Sequence, residues 1–388
     1  MNYKTIGKKI QEYIRIKRIS KQYTKTSINP KKMILWSFRG RAYSCNPKYI
    51  TEYIIRNGLL LDYEVVWAFN KPEEYMFLVD KGIKVIKYES NEFYEELMTS
   101  HYVITNTRVG FNYHKRNEQI YIQTWHGTMA LKSIEKDAQK FLSAHYVANA
   151  INDSKKIDYI VSGSKKNTEI IRNSFWYKGK ILEIGNPRND IFFTPNKYKS
   201  IVEDKYNIRN KKIVLYAPTF RADGKIDAYD IDFHALIESL TNKYKCDFVI
   251  LCRLHPNLKG NRIVCENAEN VIDVTDYDDM QELLVAADVL ITDFSSSMFD
   301  FCMMNKKCIL YASDYEEYIK NERRLYFDIT KDLPFPLAKS NEELISVIEN
   351  FDEEHYSKRL RMFSDDVIGF IENGNASKQL IDLLKQLG

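Results

Sequence analysis

His126 sits in the run Gln123-Thr124-Trp125-His126-Gly127-Thr128, at the end of an apolar stretch and beside a residue without a side chain. An imidazole titrates near neutrality, so it can take a proton from a hydroxyl. Gly127 lets a ligand approach the backbone closely. A second imidazole occurs in Arg253-Leu254-His255-Pro256. Arg253 and His255 alternate with Leu254 at a strand end, so their side chains share one direction, and Pro256 stops the strand. A guanidinium beside an imidazole suits negative charge developing on a phosphate. A third feature is Thr292-Asp293-Phe294-Ser295-Ser296-Ser297, which follows the apolar run Val289-Leu290-Ile291. The pattern resumes at Met298, Phe299 and Phe301, as in a helix. Serines there satisfy orphan N–H groups, and the positive end of a helix holds an anion. Each feature also has a plain structural reading: a core histidine, an ion pair at a sheet edge, an over-capped helix.

Two further turns look alike. Tyr216-Ala217-Pro218-Thr219-Phe220-Arg221 offers Thr219 and Arg221, and Gly185-Asn186-Pro187-Arg188-Asn189-Asp190 offers Arg188. Asp276-Tyr277-Asp278 has the spacing of a metal-binding acid pair. Thr275 and Asp278 also fit a capping box before a helix Met280–Ala287, and that is the preferred reading. No metal ligands are assigned. The chain has no GxGxxG or P-loop, which removes support for NAD or ATP.

Positioning these turns requires strands that end where they begin. Apolar runs predict strands at 33–38, 64–69, 84–88, 102–106, 120–125, 159–162 and 181–184, with helical stretches such as 46–56 and 92–98 between them. The segment 194–210, opening Thr194-Pro195-Asn196-Lys197, breaks the alternation and reads as a linker. A second series follows at 213–217, 248–252, 271–274, 289–292 and 308–312, and residues 341–388 read as closing helices. The predicted class is α/β, with two doubly wound Rossmann-like domains facing a cleft. The boundaries expected are an arm over 1–32, an N-terminal domain over 33–195 and a C-terminal domain over 205–388.

Charge is uneven. Residues 1–32 hold ten Lys or Arg and one acid, Glu12, so the arm is +9 and the rest −5 within a net +4. Tyr3, Ile6, Ile10, Tyr13 and Ile14 fall on one helical face among these cations. Such a helix either lies on an anionic membrane surface or packs on the body. A nucleic-acid role is disfavoured, because no recognition motif accompanies the arm. The six cysteines form no CxxC pair and read as reduced thiols in a cytoplasmic protein. No apolar run approaches the length of a membrane span, and the N-terminus lacks the apolar region of a signal peptide.

Taken together, the motifs at 125–128, 185–190, 216–221, 253–256 and 292–296 resemble the CDP-glycerol glycerophosphotransferase family of teichoic-acid and related polymer synthesis. Their order and spacing match over roughly residues 33 to 365, and Asn46-Pro47-Lys48-Tyr49-Ile50 is similar to the family's first helix. One departure is Thr128-Met129-Ala130-Leu131-Lys132, where the family often has Thr-Pro-Leu-Lys. The resemblance implies a GT-B fold and transfer of glycerol phosphate from CDP-glycerol to a lipid-linked saccharide or polyol-phosphate acceptor, with release of CMP. It implies a peripheral enzyme at the cytoplasmic face of the membrane, which agrees with the basic arm. The family's paired histidines carry over onto His126 and His255, and its serine turn onto Asp293, Ser295 and Ser296. Gly127, Thr128, Arg188, Thr219, Arg221, Arg253 and Ser297 complete the expected substrate contacts. No cofactor and no tightly bound metal are expected, since these groups can neutralise a diphosphate. CDP-ribitol or a nucleotide sugar as donor, or a non-catalytic scaffold that only binds, remain the alternatives. Acceptor, chain length and any homo-oligomer stay open.

Overall fold

The computed structural model describes residues 3–110, 113–221, 229–255, 269–321 and 324–387. Among these, two parallel sheets form. The first contains β1 (Asn29–Trp36), β2 (Glu64–Phe69), β3 (Lys84–Lys87), β4 (Ser100–Thr105), β5 (Ile120–Gln123), β6 (Tyr159–Ser162) and β7 (Lys180–Glu183), in the order β3-β2-β1-β4-β5-β6-β7. The second contains β8 (Lys212–Tyr216), β9 (Phe248–Cys252), β10 (Val271–Asp273), β11 (Val289–Thr292), β12 (Lys307–Tyr311) and β13 (Leu337–Ala338), in the order β10-β9-β8-β11-β12-β13. The strands at 64–69, 159–162, 248–252 and 289–292 have the bounds read from the sequence. The two-residue β13 carries no pattern to read.

Both faces of the first sheet are buried. Met33, Leu35, Val65, Trp67 and Phe69 enter one core cluster, and the alternating Ile34, Trp36, Val66 and Ala68 enter another. That period of two, apolar on both sides, is what a parallel strand between helical layers requires. The strand order reverses between β1 and β4 in one sheet and between β8 and β11 in the other. Loops leaving the carboxyl ends of such neighbours diverge and open a crevice.

Three expected boundaries need correction. The segment read as a linker is largely helical, Pro195–Tyr206, with Pro195 in the first turn, where a missing N–H costs nothing. Its Tyr198 and Val202 pack into the second domain's core. The closing helices divide: Ala376–Leu387 lies on the first sheet, where Leu380, Ile381 and Leu384 join the cluster of Met33 and Trp67. The Tyr102 hydroxyl donates to the Leu384 carbonyl at 3.1 Å. An apolar stripe shows that a helix packs, but not on which sheet. The arm is a helix, Tyr3–Tyr23, and β1 begins at Asn29, inside the expected arm. Ile16 is 1% exposed and packs on the body, while Tyr13 and Ile14 are 46% and 58% exposed. The side chains of Tyr3, Ile6 and Ile10 lie outside the described set.

All four tryptophans, at 36, 67, 125 and 176, belong to the first domain. Leu380→Ala, near the far end of the chain, should therefore destabilise the fluorescence-detected unfolding of that domain by about 2–5 kcal/mol. An unchanged tryptophan transition in urea would contradict this packing.

Candidate active site

The two reversal points are built alike. The Phe38 amide, beyond β1, donates to Asn106 Oδ1, beyond β4, at 2.8 Å. The Thr219 amide, beyond β8, donates to both carboxylate oxygens of Asp293, beyond β11, at 2.9 and 3.1 Å. Between them lie two adjoining cavities of about 650 and 280 Å³. His126, Thr219, His255, Ser295 and Ser296 border both.

His126 Nδ1 is 2.8 Å from the Asn106 carbonyl oxygen. A carbonyl only accepts, so Nδ1 carries the hydrogen and Nε2 the lone pair. Trp125 stacks on the imidazole at 4.6 Å and Phe38 meets it edge-on at 5.7 Å. Trp125 is held at φ +50, a left-handed conformation rare for a bulky residue. Asn46 Nδ2 fixes it by donating to the carbonyls of Thr124 and Trp125 at 3.1 and 3.0 Å. Burial pushes the His126 pKa down to about 4; the Asn106 carbonyl opposes this and the Arg188 charge adds to it. The imidazole is thus neutral at ordinary pH.

His255 stands at the cleft surface with Phe220 5.4 Å away. Partial desolvation lowers its pKa, and the charges of Arg41, Arg253 and Lys132 push the same way. Arg253 borders the smaller cavity, and its Nη1 is buried with no hydrogen-bond partner. Burial lowers its pKa, although Asp279 and Asp278 counteract this. Pro256 lies outside the described residues.

The serine turn runs from β11 into a short helix, Ser297–Cys302. Ser295 Oγ and Ser297 Oγ are 2.8 Å apart, and the Ser297 amide donates to Ser295 Oγ at 3.3 Å. Ser296 precedes the helix without a side-chain cap bond. Ser297 borders the smaller cavity and Gly127 the larger.

Other expected contacts lie beneath the cleft. Arg221 is 5% exposed; it pairs with Asp314 at 2.5 Å and Asp293 at 2.8 Å, and donates to the Thr219 carbonyl at 2.8 Å. It and Asp293 brace the two turns from below. Thr128 is buried and donates to Asp300 at 2.5 Å. Arg188 reaches the edge of the smaller cavity, but its guanidinium is engaged: Nη2 meets Asp300 at 2.5 Å and Nη1 donates to the His126 carbonyl at 2.8 Å. It therefore holds the histidine's backbone to the second domain.

Asn46, Asn106, Asp300 and Glu372 were not anticipated in the site. Glu372 accepts from Asn186 and Asn189 at 2.8 Å, and burial raises its pKa to about 8. Asp300 alone had a signal: an acid inside the apolar run Met298–Cys302. The expected capping box is corrected. The helix Met280–Ala286 is capped by Asp279, which accepts from the Gln281 amide at 3.0 Å. Thr275 instead accepts from the Leu254 amide at 3.1 Å, and Asp278 from the Tyr75 hydroxyl at 3.1 Å. Cys45, Cys246, Cys302 and Cys308 are free thiols, but Cys252 is disulfide-bonded, against the expectation of reduced thiols throughout. No described helix is long and apolar enough to cross a membrane.

The family described as CDP-glycerol:poly(glycerophosphate) glycerophosphotransferase matches residues 18–386. A teichoic acid poly(glycerol phosphate) polymerase of Bacillus spizizenii is 31% identical over 369 residues, covering 92% of each chain. A teichoic acid glycerol-phosphate transferase of Staphylococcus aureus is 33% identical over 367 residues, covering 90% of this chain and 92% of that one. The chain spans about half of two longer polymerases, 51% of one from Staphylococcus epidermidis and 54% of one from Bacillus subtilis. Among solved structures, a variant of the wall teichoic acid polymerase TagF soaked with CDPG superposes with a TM-score of 0.83 at 30% identity, covering 97% of this chain and 93% of that one.

Arg188→Met would leave Asp300 buried without its cation, and should cost about 3–5 kcal/mol of stability. Adding Asp300→Leu should restore part of that loss, because the two residues act as a pair. Urea midpoints of the single and double variants check this; strictly additive losses would show that the pair is not coupled.

Proposed function

The chain belongs to the CDP-glycerol:poly(glycerophosphate) glycerophosphotransferase family, and from that premise we propose how its cleft works. It is a GT-B-type transferase that moves glycerol phosphate from CDP-glycerol with release of CMP. The acceptor hydroxyl oxygen attacks the glycerol-side phosphorus. The bond from that phosphorus to the bridging oxygen breaks, and CMP leaves with the electron pair. The hydroxyl proton passes to His126 Nε2. Arg253 and His255 bind the diphosphate and offset the charge growing on CMP, while Thr219 and the hydroxyls of Ser295, Ser296 and Ser297 orient it. Catalysis of this kind needs positioning and charge neutralisation more than covalent chemistry.

One observation carries the reading: His126, His255 and the serine turn, from two domains, border the same cavities. The tautomer of His126 supports its role as base, since the Asn106 carbonyl holds Nδ1–H and leaves Nε2 to accept. The larger cavity has room for the acceptor end, with Met129, Ala130, Leu131 and Leu142 as its apolar border and Lys132 and Glu135 among its polar one. We assign the acceptor as lipid-linked, as the resemblance implies.

His126→Ala should lower CMP release by about 10²–10⁴-fold with the fold intact. A base is active when neutral, so activity falls as pH drops through its pKa. With the free-enzyme value near 4, kcat/KM should stay flat through the ordinary imidazole range of about 6–7. Near-normal turnover by the variant, or a limb in that range assigned to His126, would remove it from this role. Donor binding without CMP release would favour the scaffold reading, and comparing CDP-glycerol with CDP-ribitol settles the polyol.

We place the enzyme peripherally at the cytoplasmic face of the membrane. The exposed Lys17, Arg18, Lys21 and Lys25 beside Tyr13 and Ile14 support this. The full chain should sediment with vesicles containing anionic lipid, and changing these four cations to Glu should abolish that. Unchanged sedimentation of the charge-reversed chain would discard the arm as the attachment.

A further inference from the structure

Glu135 and Tyr146 border the larger cavity as a polar pair to which the reaction described above gives no part. Glu135 is 3% exposed and is held at φ +53, in the left-handed region. A long side chain is uncommon in that conformation, and such strain gathers at functional sites. Its carboxylate is fixed from two sides. Arg108 Nη2 donates to Oε2 at 2.7 Å, and the Tyr146 hydroxyl donates to Oε1 at 2.5 Å. Arg108 Nη1 donates to Asp153 at 3.2 Å and Ser154 at 2.9 Å, in the same helix, Ala144–Ser154, that carries Tyr146. The guanidinium also lies 5.9 Å from the ring of Trp125, which stacks on His126 at 4.6 Å. One buried cation thus supports Glu135, the helix of Tyr146 and the ring against His126.

We propose that Tyr146 reads the acceptor: its hydroxyl oxygen accepts a hydrogen bond from a non-reacting hydroxyl of the acceptor end, and Glu135 is the positioning residue that turns it to do so. The inference rests on the acceptor occupying the larger cavity, as proposed above. Tyr146 has one O–H and Glu135 takes it, so the phenol offers a ligand only lone pairs. A phosphate diester has no hydrogen to give, whereas a polyol or saccharide end has hydroxyls. Donation to a carboxylate polarises the phenol and makes its oxygen a better acceptor. Burial and the Glu135 charge both raise the Tyr146 pKa, so the group stays protonated. The Glu135 side chain is 1% exposed and paired with Arg108, so it acts through Tyr146. Tyr146 itself is half-buried and borders the cavity together with His126. The acceptor class this chemistry selects is a polyol or saccharide end with a second free hydroxyl besides the one that attacks.

Steady-state CMP release by the full chain tests this with two acceptors. One is a short lipid ending in glycerol phosphate; the other is the same lipid with the non-reacting hydroxyl of that end replaced by hydrogen. The parent should prefer the first by about three- to tenfold in kcat/KM, the worth of one hydrogen bond. Tyr146→Phe keeps the ring and should abolish that preference by losing activity on the first acceptor only. Glu135→Gln should shrink it too, because an amide can turn its own N–H onto the phenol oxygen; Tyr146→Phe gives a reading even if that variant does not fold. No preference in the parent, or a full preference kept by Tyr146→Phe, would overturn the role of Tyr146. Equal losses on both acceptors would make Tyr146 purely structural and overturn it as well. A full preference kept by a folded Glu135→Gln would remove Glu135 as the positioning residue. Leu142→Trp, which narrows the cavity, should lower kcat/KM for both acceptors with CDP-glycerol binding unchanged. Unaltered kinetics of that variant would overturn the placement of the acceptor in this cavity, whereas its loss beside an unaffected Tyr146→Phe would overturn the reader alone.

Discussion

The pairing of Arg188 with Asp300 is the constraint on which the cleft depends. The two side chains come from different domains, are 6% and 3% exposed, and meet at 2.5 Å. Neither could be buried alone, because an unpaired charge in that position costs several kcal/mol. Each domain therefore needs the other to complete its interior. The same guanidinium donates to the His126 carbonyl, and the same carboxylate accepts from Thr128, two residues beyond His126. The segment carrying His126 is thus tied at two points to the domain carrying the serine turn. Lys48 adds a second bridge, to Asp279 at 2.8 Å and Glu282 at 2.6 Å. These ion pairs join the two domains at the smaller cavity itself, whose border includes Arg188, Asp279 and Asp300.

Pairing also separates the cations that build the site from those free to act in it. Arg108 is enclosed by Glu135 and Asp153, Arg188 by Asp300, and Arg221 by Asp293 and Asp314. Each is nearly inaccessible and neutralised by an acid on another segment. Arg253 is different, with Nη1 buried and unsatisfied and its charge opposed by burial. A buried donor without an acceptor is destabilising unless something arrives to accept from it. A diphosphate is such an acceptor. Residue type could not separate Arg188, Arg221 and Arg253; only their partners do.

This explains how much of the molecule was legible in the sequence. Parallel strands buried on both faces give long apolar runs, so the alternation and most strand positions could be read directly. The ends of those runs singled out His126, His255 and the serine turn, and the structure brings these three to the same cavities. Long-range pairing was not legible. Asp300 lies 112 residues from Arg188, and Glu372 lies 186 and 183 residues from its partners Asn186 and Asn189, and no periodicity links them. The fate of the helix Ala376–Leu387 was hidden for the same reason, since its stripe fits either sheet. Pro195 was misread because a proline that opens a helix and one that breaks a chain look alike.

The symmetry of the two halves supplies the remaining step. In each sheet the crevice lies between the central strands where the order reverses, and an Asn or Asp side chain clasps the neighbouring loop across it: Asn106 to Phe38, and Asp293 to Thr219. Side-chain amides hold left-handed backbone in the first half: Asn106 at Phe38, and Asn46 at Trp125. Such strain persists only on a stiff support, and the carboxyl ends of buried parallel strands are the stiffest positions this fold offers. Left-handed backbone also points side chains where a regular strand or helix end would not. In the first half it turns the imidazole of His126 onto the Asn106 carbonyl and Phe38 against its edge. The second half needs no comparable distortion to present its serines, because a strand running into a helix already turns its hydroxyls outward. His126 therefore comes from the strained domain and the hydroxyl-lined turn from the relaxed one, and the buried ion pairs connect the two.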